Sequence, residues 1–153
     1  MVIEFFVPGS PASAGSKTVV TTKDNRHFVR PASKFTKPWM NTVRYFAREA
    51  YRDLLLTGPI KLTLTFVLVR PKSHYGTGRN ANKLKPSALV YPTVMPDLTK
   101  VIRAVEDALT GIIWRDDKQV VAFGDSTGKR YGQPGGVKIR IEDLTIIEVN
   151  DGE

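Results

Sequence analysis

Three aspartates, Asp97 and the adjacent pair Asp116-Asp117, have the residue type and the setting to do chemistry in this sequence. Other chemistries are closed off. The chain has no cysteine and only two histidines, His27 and His74, which excludes thiolate nucleophiles, disulfides, Cys-ligated zinc and any multi-histidine metal site. There is no nucleophile elbow, phosphate-binding Gly-Lys-Ser/Thr loop or dinucleotide fingerprint, and Gly9 and Gly15 have the wrong spacing for the last two. Metal chemistry must therefore use oxygen ligands, which suit Mg²⁺ or Mn²⁺. Carboxylates gathered from Asp97, Asp116 and Asp117 would hold such an ion against a phosphodiester. Taken singly, each has a plainer reading: Asp97 as a helix N-cap worth about 1 kcal/mol, and Asp116-Asp117 as a solvated turn.

The elements around them follow from periodicity. A helix begins at Asp97, with Leu98, Val101, Ile102, Val105, Leu109 and Ile112 on its buried side and Lys100, Arg103 and Asp107 in a polar stripe. Gly111 stands near its end. Arg103 and Asp107, at i and i+4, read either as a surface pair or as a cation facing a phosphate beside an acid. Asp97 enters this helix and Asp116-Asp117 leave it for a strand at Gln119 to Phe123. The two points meet only if that strand runs back beside the helix.

Upstream, Ile3 to Val7 reads as a strand ending at Pro8-Gly9, and Thr18 to Thr22 with His27 to Arg30 as a hairpin turning at Lys23 to Arg26. A helix is predicted from about Pro38 to Leu56, with Arg44, Arg48 and Arg52 at i, i+4 and i+8 on one face. Leu62, Leu64, Phe66 and Leu68 alternate as a strand. Gly124 to Gly136 reads as a turn-rich connection, and Val137 to Val149 as a final strand or two. Trp39 and Trp114 are expected in the core or at an interface and not as base-stacking platforms, and His74 is more often an ordinary loop histidine than a catalytic base. The fold class is α+β: one domain over residues 1–153, a mixed sheet packed with two main helices.

The net charge of +8 is unevenly placed. Residues 1–90 carry 15 basic and 4 acidic side chains, whereas residues 91–153 carry 8 basic and 11 acidic. This suggests a basic part that holds a polyanion and an acidic part that supplies carboxylates. Within Pro71 to Pro96 there is no periodicity and no acid, but Lys72, His74, Tyr75, Arg79, Lys83, Lys85 and Tyr91. Such a segment suits phosphate and base contacts, or it is a solvated mobile loop. No apolar run approaches the roughly 18 residues of a membrane span, and the opening residues lack a signal-peptide pattern, so an intracellular protein is expected.

The blocks Pro96-Asp97-Leu98-Thr99-Lys100-Val101-Ile102-Arg103, Glu106-Asp107-Ala108-Leu109-Thr110-Gly111 and Trp114-Arg115-Asp116-Asp117-Lys118-Gln119-Val120 together resemble the signature of the RusA-type Holliday junction resolvases of bacteria and their phages. The opening Phe5 to Pro11 is similar to that family's first strand and turn. The resemblance implies a cytoplasmic homodimer that binds four-way DNA junctions and, with Mg²⁺, makes paired nicks during recombination, repair or phage DNA processing; Mn²⁺ would substitute. Carried over by position, Asp97 and Asp117 match catalytic carboxylates, Asp116 a supporting ligand and Arg103 the essential basic position. Lys100, Lys72, Arg79, Lys83, Lys85, Lys17, Arg44 and Arg48 are the expected DNA contacts.

One position departs from the signature. Thr99 stands where the second carboxylate would be, a hydroxyl that ligates Mg²⁺ without supplying charge. Glu106 and Asp107 lie about 10 to 12 Å along the helix from Thr99 and do not simply replace it. The expectation is a weakened but real nuclease. The alternatives are a branched-DNA-binding protein that does not cut, and an RNA-binding or ribosome-associated basic domain.

Overall fold

The computed structural model describes residues 1–14, 17–31 and 34–146. Its elements run β1 (Val2–Pro8), β2 (Lys17–Thr21), β3 (His27–Pro31), α1 (Thr36–Ala50), β4 (Ile60–Leu68), α2 (Leu98–Leu109), β5 (Val120–Phe123), β6 (Gly128–Tyr131) and β7 (Gly136–Asp143). The strand expected from Val137 to Val149 ends at Asp143, and residues 144–146 are not strand; residues 147–153 and the side chain of Lys17 lie outside the described residues.

Period-two alternation sets which sheet face is covered. Ile60, Leu62, Leu64 and Phe66 of β4 and Val137, Ile139 and Ile141 of β7 are fully buried, while Lys138 and Arg140 between them are exposed. β7 is central: it pairs antiparallel with β1 on one side (Ile3 opposite Ile141) and with β4 on the other (Leu64 opposite Ile139). The far edge of β4 is shared by two short parallel strands, β5 beside Ile60 to Leu62 and β6 beside Thr65 to Leu68. Between them Gly124 approaches β4 so closely that an added Cβ would stand 2.0 Å from Thr63 Oγ1, a contact that only glycine allows. The hairpin β2–β3 forms a separate two-stranded sheet.

The helices supply the other half of the core. Trp39, Val43 and Ala47 of α1 and Val101, Ala104, Val105, Ala108 and Leu109 of α2 join the buried strand residues in one cluster. Trp114, fully buried, donates its Nε1–H to Thr110 Oγ1 at 3.1 Å and so closes the turn after α2. The α+β class with two main helices is therefore the observed one.

Three local expectations are corrected. The first helix stops at Ala50, not near Leu56: Tyr51 is already extended and Leu54 is 84% exposed. The Tyr51 hydroxyl and the Asp53 carboxylate instead bond the Leu54 backbone, an alternative to continuing the helix. Arg52 is thus off the helix and ion-paired to Glu49 at 3.0 Å. The connection from Gly124 to Gly136 contains β6. Residues 71–96 are not structureless: they hold two short 3₁₀ turns, Lys72–His74 and Gly78–Asn80, and a bridge between Tyr75 and Leu84.

Candidate active site

Asp97 occupies the N-cap position of α2, yet its side chain makes no capping hydrogen bond. That removes the simple capping reading. The carboxylate is 59% exposed and lies 3.5 Å from Lys100 Nζ, a surface pair of small energetic value. Thr99 is exposed in the same first turn, and Arg103 is exposed farther along. The segment before Asp97 is fixed from the sheet. Lys129 of β6 donates from Nζ to the carbonyls of Val94 at 2.8 Å and Pro96 at 3.0 Å.

At the other end of α2, Asp116 does serve as a cap. Its Oδ1 accepts the Lys118 N–H at 3.0 Å, while Gln119 Oε1 accepts the N–H groups of Asp116 at 2.8 Å and Arg115 at 2.9 Å. This capping box starts the 3₁₀ turn Asp117–Gln119. The Lys118 backbone N–H holds the Asp116 carboxyl below the usual carboxylate range, with smaller pulls from the Asp117 side chain and the Lys118 charge. Gln119 Nε2 also donates to Leu56 O at 2.8 Å and Gly58 O at 3.0 Å, tying the aspartate pair to the start of β4. Asp117 is exposed and its carboxylate pushes on half-buried Glu106. Burial is the main cause that raises the Glu106 carboxyl, repulsion from Asp117 and then Asp107 adds to it, and Arg103 opposes.

The two ends do not meet within one chain. Among the described residues no three histidine, aspartate or glutamate side chains are grouped to hold a metal ion. α2 has 12 residues, about 18 Å of rise at 1.5 Å per residue. The sheet gives a second ruler. Ile60 pairs with Val120, just after Asp117, and Phe66 pairs with Lys129, which grips Pro96; six residues of strand span about 20 Å. The return strand exists, but Asp116-Asp117 stand at its start, so it brings Lys129 and not the aspartates back to Asp97. Oxygen donors suited to Mg²⁺ are present at each end, but one chain does not gather them into a three-carboxylate site.

The candidate DNA contacts separate likewise. Lys72, Arg79, Lys83 and Lys85 are exposed on the 71–96 segment, which packs at the Asp97 end through His74, Tyr131 and Pro96. Arg44 is half-buried and donates to Asn41 Oδ1 at 3.1 Å, whereas Arg48 is exposed and flanks a hollow with Gly111 and Ile112 at the Asp117 end. Sequence reasoning missed Lys129 and Gln119, which position the acids, and Arg130, Lys138 and Arg140 on the sheet face away from the helices. Alternation of Lys138 and Arg140 with buried Val137, Ile139 and Ile141 was the signal for that face.

Comparison with known proteins adds two findings. Residues 8–142 match the family model described as Endodeoxyribonuclease RusA. The chain is also similar to the Bacillus subtilis (strain 168) protein described as Uncharacterized protein YqaN, 28% identical over 144 residues that cover 94% of this chain and 97% of the other.

Proposed function

The chain belongs to the RusA endodeoxyribonuclease family, and on that premise we propose that it is a structure-selective DNA endonuclease that resolves four-way junctions by paired nicks. The observation that carries this reading is Asp97: a carboxylate at the family's motif position, exposed, and without the capping bond that its place in the helix would otherwise explain.

The separation of Asp97 from Asp116-Asp117 argues for a homodimer whose copies complete each other's sites. A two-fold arrangement that sets the start of α2 of one copy against the end of α2 of the other yields two equal sites, each with Asp97 and Thr99 from one chain and Asp116 and Asp117 from the other. Two related sites also suit two related cuts on a two-fold junction. Mg²⁺ held there would supply an activated water and offset charge at the phosphate. The chain's own residues do the rest. Asp116, fixed by the Lys118 N–H, orients its neighbour Asp117. Arg103 presents a permanent cation to the phosphate, where charge develops during cleavage. Lys100, Lys72, Arg79, Lys83, Lys85, Arg44 and Arg48 hold the arms through their phosphates, a term that weakens with salt.

Asp97→Asn and Asp117→Asn test the proposal. Each is expected to abolish nicking of a four-way junction in Mg²⁺ or Mn²⁺ while leaving junction affinity near that of the parent. Thr99 and the lack of a three-carboxylate group among the described residues of one chain favour a second reading, a branched-DNA binder without catalysis. That protein would bind the junction as tightly and show no cleavage to abolish.

A further inference from the structure

We propose that the cavity beside Asp97 receives one unstacked nucleobase of the strand that is cut, so that the protein reads a base as well as a branch; this rests on the endonuclease reading above. The cavity, about 340 Å³, is walled by Val67 and Val69 of the β4 end, by His74 and Tyr131, and by Val94 and Pro96. Such a volume is at the small end of ligand sites. Its wall ends at Pro96, and Asp97 is one Cα step of about 3.8 Å farther on. A nucleotide whose phosphate lies against Asp97 therefore has its own base within reach of the opening.

The chemistry of the walls suits a base. Aliphatic side chains and two aromatic rings present flat apolar surface, His74 and Tyr131 meeting edge to face with centroids 5.3 Å apart at 83°. Unstacking a base is costly in a duplex but least so where pairing and stacking are already interrupted, as at a branch point. Arg70 gives the cavity a defined polarity. Its Nη1 lies 3.1 Å from His74 Nδ1; a guanidinium only donates, so Nδ1 accepts and the ring proton sits on Nε2. That N–H has no protein partner among the described residues and is available to a base acceptor.

The walls are also built in advance. Arg70 further donates to Leu89 O at 2.7 Å and lies 4.4 Å over the Tyr131 ring, and Lys129 grips Val94 and Pro96 through their carbonyls. With Arg70 so committed, the described residues that line the cavity offer no spare cation for a free nucleotide's phosphate. A base delivered by a DNA strand fits better, because Lys100 beside Asp97 lies outside the cavity.

The test uses four-way junctions carrying 2-aminopurine at single positions around the cleavage point, bound without divalent metal so that nothing is cut. The unmodified protein is expected to raise the emission at one position next to the scissile phosphate. Val94→Trp sets an indole at the cavity mouth, where Val94 is 49% exposed, while keeping the carbonyl that Lys129 holds. It should abolish that rise and slow cleavage about tenfold, through lost positioning of the scissile phosphate, with junction affinity held within about threefold. His74→Leu should erase the base preference at that position and His74→Gln, which keeps a donor, should retain part of it. A parent that binds and cleaves with no emission change at any flanking position overturns the proposal, as does a Val94→Trp protein with the rise intact. A parent that neither binds nor cleaves junctions overturns the endonuclease reading itself.

Discussion

Replacing Lys129 by methionine should separate cleavage from binding. The Lys129 ammonium makes two hydrogen bonds, at 2.8 and 3.0 Å, to carbonyls of the segment that delivers Asp97. Hydrogen bonds to charged groups contribute about 1.5 to 3 kcal/mol each when well buried. Lys129 is only half-buried, which discounts the pair to about 2 kcal/mol. For a chain of this size each kcal/mol moves Tm by about 2 to 4 °C, so Lys129→Met should melt about 4 to 8 °C lower. The effect on rate should be larger. Freed from Lys129, the turn before α2 lets Asp97 drift, and a displacement near 1 Å costs on the order of 100-fold in rate. The assay is single-turnover junction cleavage beside equilibrium junction binding: the cleavage rate should fall about 10- to 100-fold with affinity changed less than about threefold, and Lys129→Arg should recover part of the rate. Unchanged cleavage in Lys129→Met would refute the reasoning. So would parallel losses of affinity and rate, which would make Lys129 a DNA contact instead.

Thr99→Asp restores a carboxylate beside Asp97, and cleavage should saturate at lower Mg²⁺ and run faster, as a metal titration of nicking would measure. Glu106→Gln should stabilise the protein at neutral pH. A carboxyl raised above its unfolded value gives stability that is full below that value and lost as pH rises through the raised one. Glu106, raised by burial and by Asp117, therefore costs stability at pH 7. The glutamine variant should melt higher there, by less than about 1 kcal/mol given the partial exposure, and the gain should vanish near pH 4; equal melting at both pH values would contradict this.

The body of α2 was legible, because Val101, Val105 and Leu109 repeat at helical spacing and are buried as that spacing requires, but the helix ends at Leu109, so Ile112, expected on its buried side, falls in the turn beyond it. β6 was not. Gly128-Lys129-Arg130-Tyr131 has no apolar alternation, and its strand form comes from pairing with Thr65 to Leu68. The order in residues 71–96 was hidden for a similar reason: Arg70 and His74 both meet Tyr131, which is far from them in sequence, and these contacts fold the segment onto the sheet. The carboxylates were legible as residues but not as a site. Motif spacing names Asp97, Asp116 and Asp117, whereas their separation depends on where the return strand begins along β4. Gln119 shows the same limit, since its anchoring of the turn becomes visible only with Leu56 and Gly58 beside it.

The shared site is tested most directly by mixing two dead variants. Asp97→Asn and Asp117→Asn are each expected to be inactive alone. If each site draws Asp97 from one copy and Asp117 from the other, a mixed dimer has one intact site, and an equal mixture should regain about a quarter of the parent's sites, seen as single nicks in the junction. If both aspartates came from the same chain, every site in the mixture would carry a defect, and a mixture as inactive as its components, with exchange of subunits confirmed, would contradict the account.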